Sequence, residues 1–114
     1  MDIHIIRKRA TPAQFKDMLK ALHSYIKLAV DIEREVVAGG GMLHVDCEAV
    51  LLEDGSKQKD IWGADWLPDS KKIRFEALIN IRPRQNNRSM TIQDKMVRCK
   101  VEKIVREKLN NEES

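Results

Sequence analysis

The sequence is poor in the residues that most metal and nucleophile signatures are written with. Its 114 residues include two cysteines, three histidines, three prolines, two Trp, one Tyr and two Phe. Cys47 and Cys99 are far apart and form no CxxC pair, which excludes a thiolate zinc knuckle and a dithiol redox motif. Cys47 shares helical spacing with Val50 and Leu51, so it reads as a core thiol, free in a reducing compartment. No apolar run approaches the roughly 18 to 20 residues that span a bilayer, and no apolar leader follows Met1. The expected setting is the cytoplasm, with no membrane partner. There is also no excess of one charge. Lys and Arg number 21 against 18 Asp and Glu, and a net charge of +3 with a pI near 9.0 is too mild to argue for nucleic acid.

What is present is periodicity. Apolar residues make up 42% of the chain, enough for one domain over residues 1–110, with 111–114 expected to fray. Asp2 to Ile6 reads as a first strand. Thr11-Pro12-Ala13-Gln14 then starts a helix with a capping box, and Phe15, Met18, Leu19 and Leu22 form its apolar stripe to about His23. Tyr25 to Ile32 alternates as a second strand. Glu33-Arg34-Glu35 turns the chain into a third at Val36-Val37-Ala38, which runs into three glycines. Gly39-Gly40-Gly41 lacks the following Lys and Ser or Thr of a phosphate loop and reads as a structural bend.

Leu43 to Asp54 predicts a second helix stopped by Gly55, and Ile61 to Leu67 a fourth strand with Trp62, Ala64 and Trp66 on one face. Pro68 to Lys71 is a turn. Lys72 to Ile81 alternates as a fifth strand, making residues 61 to 81 an antiparallel hairpin. Asp94 caps a last helix that runs to about Leu109. The order β-α-β-β-α-β-β-α predicts an α+β fold: a mainly antiparallel sheet with helices on one face, with the first six elements matching a ferredoxin-like core.

Three surfaces are candidates for function. The polar loop from Arg82 to Ser89 follows an apolar strand, and Arg82, Arg84 and Arg88 could hold an anionic group while Asn80, Asn86 and Asn87 orient it. Nucleic acid is weakly supported as the partner, because no stacking aromatic is interleaved with the charge. His44 with Asp46 is a candidate metal site or catalytic base, with Asp31 or Glu33 assisting. The His44-x-Asp46-x-Glu48 spacing, however, fans out on a helix. Trp62 and Trp66 read as core or interface anchors, and a homodimer through that face or through a free strand edge is the third possibility. No cofactor follows from any of these.

The segments LAVDIER (28–34), GGGMLHVDCEAVLLEDGS (39–56), DIWGADW (60–66) and INIRPRQNNRSM (79–90) together resemble a small prokaryotic family catalogued as a domain of unknown function. The resemblance covers nearly the whole chain and implies no activity, cofactor or partner. It marks two departures: Glu35 stands where a Gly is common, and Lys95 where a Pro is common. These bear on the first hairpin turn and on the start of the last helix.

Overall fold

A computed structural model describes residues 3–110. Strands β1 (His4–Ile6), β2 (Ile26–Asp31), β3 (Val36–Gly41), β4 (Ile61–Leu67) and β5 (Lys72–Arg74) form one antiparallel sheet in the order β1-β3-β2-β4-β5. Helices α1 (Pro12–Met18), α2 (His44–Glu53) and α3 (Lys95–Leu109) complete an α+β fold. The frayed tail expected at 111–114 lies outside the described residues.

The helices do not share one face, and the topology gives the reason. Helix α1 carries the chain from β1 to the parallel β2 across β3, and α2 carries it from β3 to the parallel β4 across β2. Both crossovers step the same way along the sheet, but β1 and β3 run in opposite directions. Two crossovers of the same, right-handed sense therefore place α1 and α2 on opposite faces. A ferredoxin-like core would instead add the fourth strand beside the first. Here β4 pairs with β2, so that expectation is corrected.

The larger core lies between the sheet and α1 with α3. Met18, Val101, Ile104, Val105 and Leu109 pack there on Leu28, Val30, Trp62 and Trp66. On the other face Cys47 and Leu51 of α2 meet Ala29, Ala38, Val36 and Ile61, and the two alanines let the helix approach closely. Trp62 and Trp66 are 4% and 1% exposed, so they are core and present no face to a second copy.

Local chemistry sets the boundaries. Thr11 Oγ1 accepts from the Gln14 N–H and Gln14 Oε1 accepts from the Thr11 N–H, the expected capping box. The helix stops at Met18, short of His23, which turns into the left-handed region at φ 68°. Asp94 Oδ1 accepts from the N–H groups of Met96 and Val97, so α3 starts at Lys95 without needing Pro there. In the glycine run, Gly40 (φ 104°) is the extra residue between the pairs Leu28–Gly39 and Lys27–Gly41, a bulge that reverses which face the strand presents. A Cβ on Gly39 would lie 2.7 Å from Leu28 Cδ2, and one on Gly41 3.0 Å from Ile3 Cδ1. The run is a packing device inside β3.

The first hairpin turn is held by Asp31, whose Oδ1 accepts from the N–H groups of Glu33 and Arg34 at 2.9 Å each. Glu35 closes it at φ 57°, a region that costs a residue with a Cβ about 1–2 kcal/mol. Glycine there gives back part of that gain as unfolded-state entropy. Glu35→Gly is therefore expected to raise stability by about 0.5–1 kcal/mol in thermal unfolding; a loss would show that the Glu35 side chain contributes something the turn geometry does not require.

Candidate functional site

The fifth strand is shorter than its alternation predicts. β5 ends at Arg74, and residues 75–81 cross the α2 side of β4 as a strap with a single 3₁₀ turn at 78–80. Glycine at position 63 makes this possible, since a Cβ there would lie 2.5 Å from Ala77 Cβ and 3.1 Å from Ile79 Cγ1. The strap brings Asn80, fully buried, against the outer edge of β4. Its side chain does there what a neighbouring strand would do. Oδ1 accepts from the Gly63 N–H at 2.8 Å, and Nδ2 donates to the Gly63 carbonyl at 3.0 Å and to the Met90 carbonyl at 3.0 Å.

Arg82 continues the same edge. Its guanidinium has five N–H bonds and five partners: the carbonyls of Ile79 (2.8 Å), Gln58 (2.7 Å) and Ile61, Gln85 Oε1 (3.5 Å) and Glu48 Oε2 (3.5 Å). It also stacks 4.8 Å over the Trp62 ring. Burial lowers its pKa and the Glu48 carboxylate opposes that. The loop after it closes through reciprocal Arg82–Asn87 backbone bonds, with a 3₁₀ turn at Pro83–Gln85 and Asn86 left-handed at φ 59°. Asn87, 2% exposed, donates to the carbonyls of Asn80, Ser89 and Thr91 and accepts from the Gln93 N–H.

The six loop residues therefore separate into two sets. Asn80, Arg82 and Asn87 face inward with their polar atoms engaged. Arg84, Asn86 and Arg88 face solvent. Arg84 lies on the wall of a cleft of about 530 Å³ with Ile79, Ile81 and Pro83 as apolar lining and Glu48, Gln58 and Gln85 as polar groups. Neither Arg88 nor Asn86 lines that cleft, and Asn86 faces a separate hollow beside Trp62 and Val97.

On the other side of the strap, His44 opens α2. Its Nε2 lies 2.7 Å from Asp65 Oδ1 and 3.1 Å from the Ala64 carbonyl. Two acceptors at one nitrogen place the proton on Nε2, and Nδ1 carries the free lone pair. Arg74 donates to the other Asp65 oxygen at 3.2 Å and stacks on Tyr25 at 4.7 Å. The partner of His44 is thus Asp65, and none of Asp46, Asp31 and Glu33 takes that place. Asp31 is buried in its own turn, and Glu33 is exposed. Among the described residues no group of three His, Cys, Asp or Glu is placed to hold a metal ion. Burial pushes the Cys47 thiol up to about 11, so at neutral pH it is a protonated core thiol and no nucleophile. Asp65 was missed as a candidate, and Glu48, named beside His44 and Asp46, pairs with Arg82 instead. A signal for Asp65 was present: it is the one charged residue in the alternating IWGADWL, on the face opposite Trp62, Ala64 and Trp66.

An antiparallel sheet whose open edge is completed by side chains, with clefts on both sides of the strap, defines a small α+β domain. The chain belongs to the family described as Protein of unknown function (DUF5674), whose model matches residues 4–108. Neither a curated protein nor a solved structure matches it. No helix among the described residues is long and apolar enough to cross a membrane.

Proposed function

We propose that this domain binds a small molecule that carries an anionic group on an apolar body, in the cleft beside the 82–87 loop. The observation that supports this is the state of the two arginines. Arg82 is engaged on every N–H, while Arg84, on the same wall, has no hydrogen-bond or ion-pair partner among the described residues. A concave apolar lining with few polar groups is the usual form of a small-molecule site, and an unpaired guanidinium suits a carboxylate or phosphate bidentately. Arg82 acts as the anchor that sets the height of Arg84, and Glu48 selects against a second negative charge deeper in the cleft.

NMR titration with benzoate, inorganic phosphate and a short RNA tests this reading. Shifts at residues 79–85 with benzoate, with Arg84→Ala weakening binding about tenfold or more (on the order of one charge-assisted hydrogen bond) and Arg88→Ala changing it less than about twofold, are the expected result. Equal losses from Arg84→Ala and Arg88→Ala, or stronger shifts with RNA than with either small anion, would move the site out of the cleft.

A further inference from the structure

The strap separates the loop cleft from a second one of about 310 Å³, and the two carry different chemistry. The second is lined by Leu43, Val45, Leu78 and Met90, all exposed apolar side chains, together with His44, Lys27 and Glu76. His44 supplies an Nδ1 lone pair with no partner among the described residues, because Nε2–H is committed to Asp65 and the Ala64 carbonyl. Asp65 is held in turn by Arg74. A base, a carboxylate that fixes its tautomer and a cation that fixes the carboxylate form the arrangement expected of an activated imidazole. Lys27 is the cross-strand partner of Asp65 on β2, lines the same cleft, and has no ion-pair partner among the described residues. No Ser, Thr or Cys lines the cleft, which leaves water as the nucleophile.

We propose that His44 is a general base for hydrolysis of neutral carboxylic esters with a short apolar acyl chain. In this step His44 Nδ1 removes a proton from water as the oxygen bonds to the acyl carbon, and the carbonyl electron pair moves to the oxygen beside Lys27. Collapse of the tetrahedral intermediate breaks the carbon–alkoxide bond, and the alkoxide takes the proton from the imidazolium. The products are a carboxylic acid and an alcohol, and no other reactant is needed. Leu43, Val45, Leu78 and Met90 receive the acyl chain, and Glu76 disfavours a substrate that is already anionic. His44 is the catalytic residue, and Asp65 and Arg74 are positioning residues. This site is independent of the anion reading, because no charged residue lines both clefts.

The test uses p-nitrophenyl acetate, butyrate and hexanoate with the full chain. Saturable hydrolysis is expected, with His44→Gln, which keeps a donor for Asp65, losing about 10²-fold in kcat. Asp65→Asn should lower kcat with KM little changed, a split that loss of packing alone does not give. Lys27→Met should lower kcat for all three esters. A wild-type rate no greater than that of folded His44→Gln would overturn the proposal. Should His44→Gln not fold, titration of the wild type with methyl n-butylphosphonate, a monoanionic tetrahedral mimic, decides instead. Shifts at His44 and Lys27 sustain the proposal, and their absence, including shifts confined to residues 79–85, refutes it.

Discussion

Asn80→Ala is expected to lower stability by about 3–5 kcal/mol, a large share of the roughly 5–15 kcal/mol available to a domain of this size. The loss follows from where the hydrogen bonds go. Removing the amide leaves the Gly63 N–H without an acceptor and the Gly63 carbonyl without a donor, and takes one of two donors from the Met90 carbonyl, which keeps the Ala77 N–H. Each buried unsatisfied group costs about 1–3 kcal/mol, and the empty volume beside Ala77 adds a cavity cost. Water cannot repair the edge cheaply, because the Asn80 side chain is fully buried between the strap and β4. Asn80→Asp should do no better, since it places an oxygen against two carbonyls. Thermal unfolding followed by circular dichroism reads the effect as a fall in Tm on the order of 15–25 °C. A fall of only a few degrees would mean that the strap is held by its apolar contacts and that the amide is incidental.

Arg82→Met is expected to cost a similar amount, about 3–5 kcal/mol, for a different reason. The thioether can replace part of the stack on Trp62 but none of the five hydrogen bonds. Glu48, whose side chain is 7% exposed, is then a carboxylate without its cation. Arg82→Lys is not conservative here, because one ammonium cannot reach the Gln58, Ile61 and Ile79 carbonyls together. Denaturant unfolding of Arg82→Met, Glu48→Gln and the double variant isolates the charge. The double variant should be more stable than Arg82→Met alone, since it removes the stranded charge while leaving the other bonds broken. Additive losses would show that the 3.5 Å Arg82–Glu48 contact carries no coupling. Arg82→Met should also abolish benzoate shifts around Arg84 even where it folds, as the loop loses its anchor.

Much of the architecture is legible in the residues themselves. The capping box at Thr11, the Asp94 cap, the Ile61–Leu67 strand and the alternating β2 all appear where short-range chemistry predicts them, because caps and periods depend on neighbours within a few positions. The stretch from Phe75 to Ile81 shows where that reasoning stops. Its alternation is real, but the chain leaves the sheet after Arg74, since Gly63 offers a space that only a tertiary neighbour can define. The face on which α2 lies also depends on strand order, which no local pattern encodes.

The candidate sites divide along the same line. The sequence by itself determined that a polar, arginine-rich loop follows an apolar segment, that His44 lies at the start of a helix, and that the cysteines form no CxxC pair. Only the tertiary structure decided which arginine faces inward, that Asn80 and Asn87 serve the fold, and that the partner of His44 is Asp65, 21 residues away. The physical reason is that a side chain's role depends on which hydrogen-bond partners and charges surround it. Those partners come from segments remote in the chain, and folding alone brings them within 3 Å.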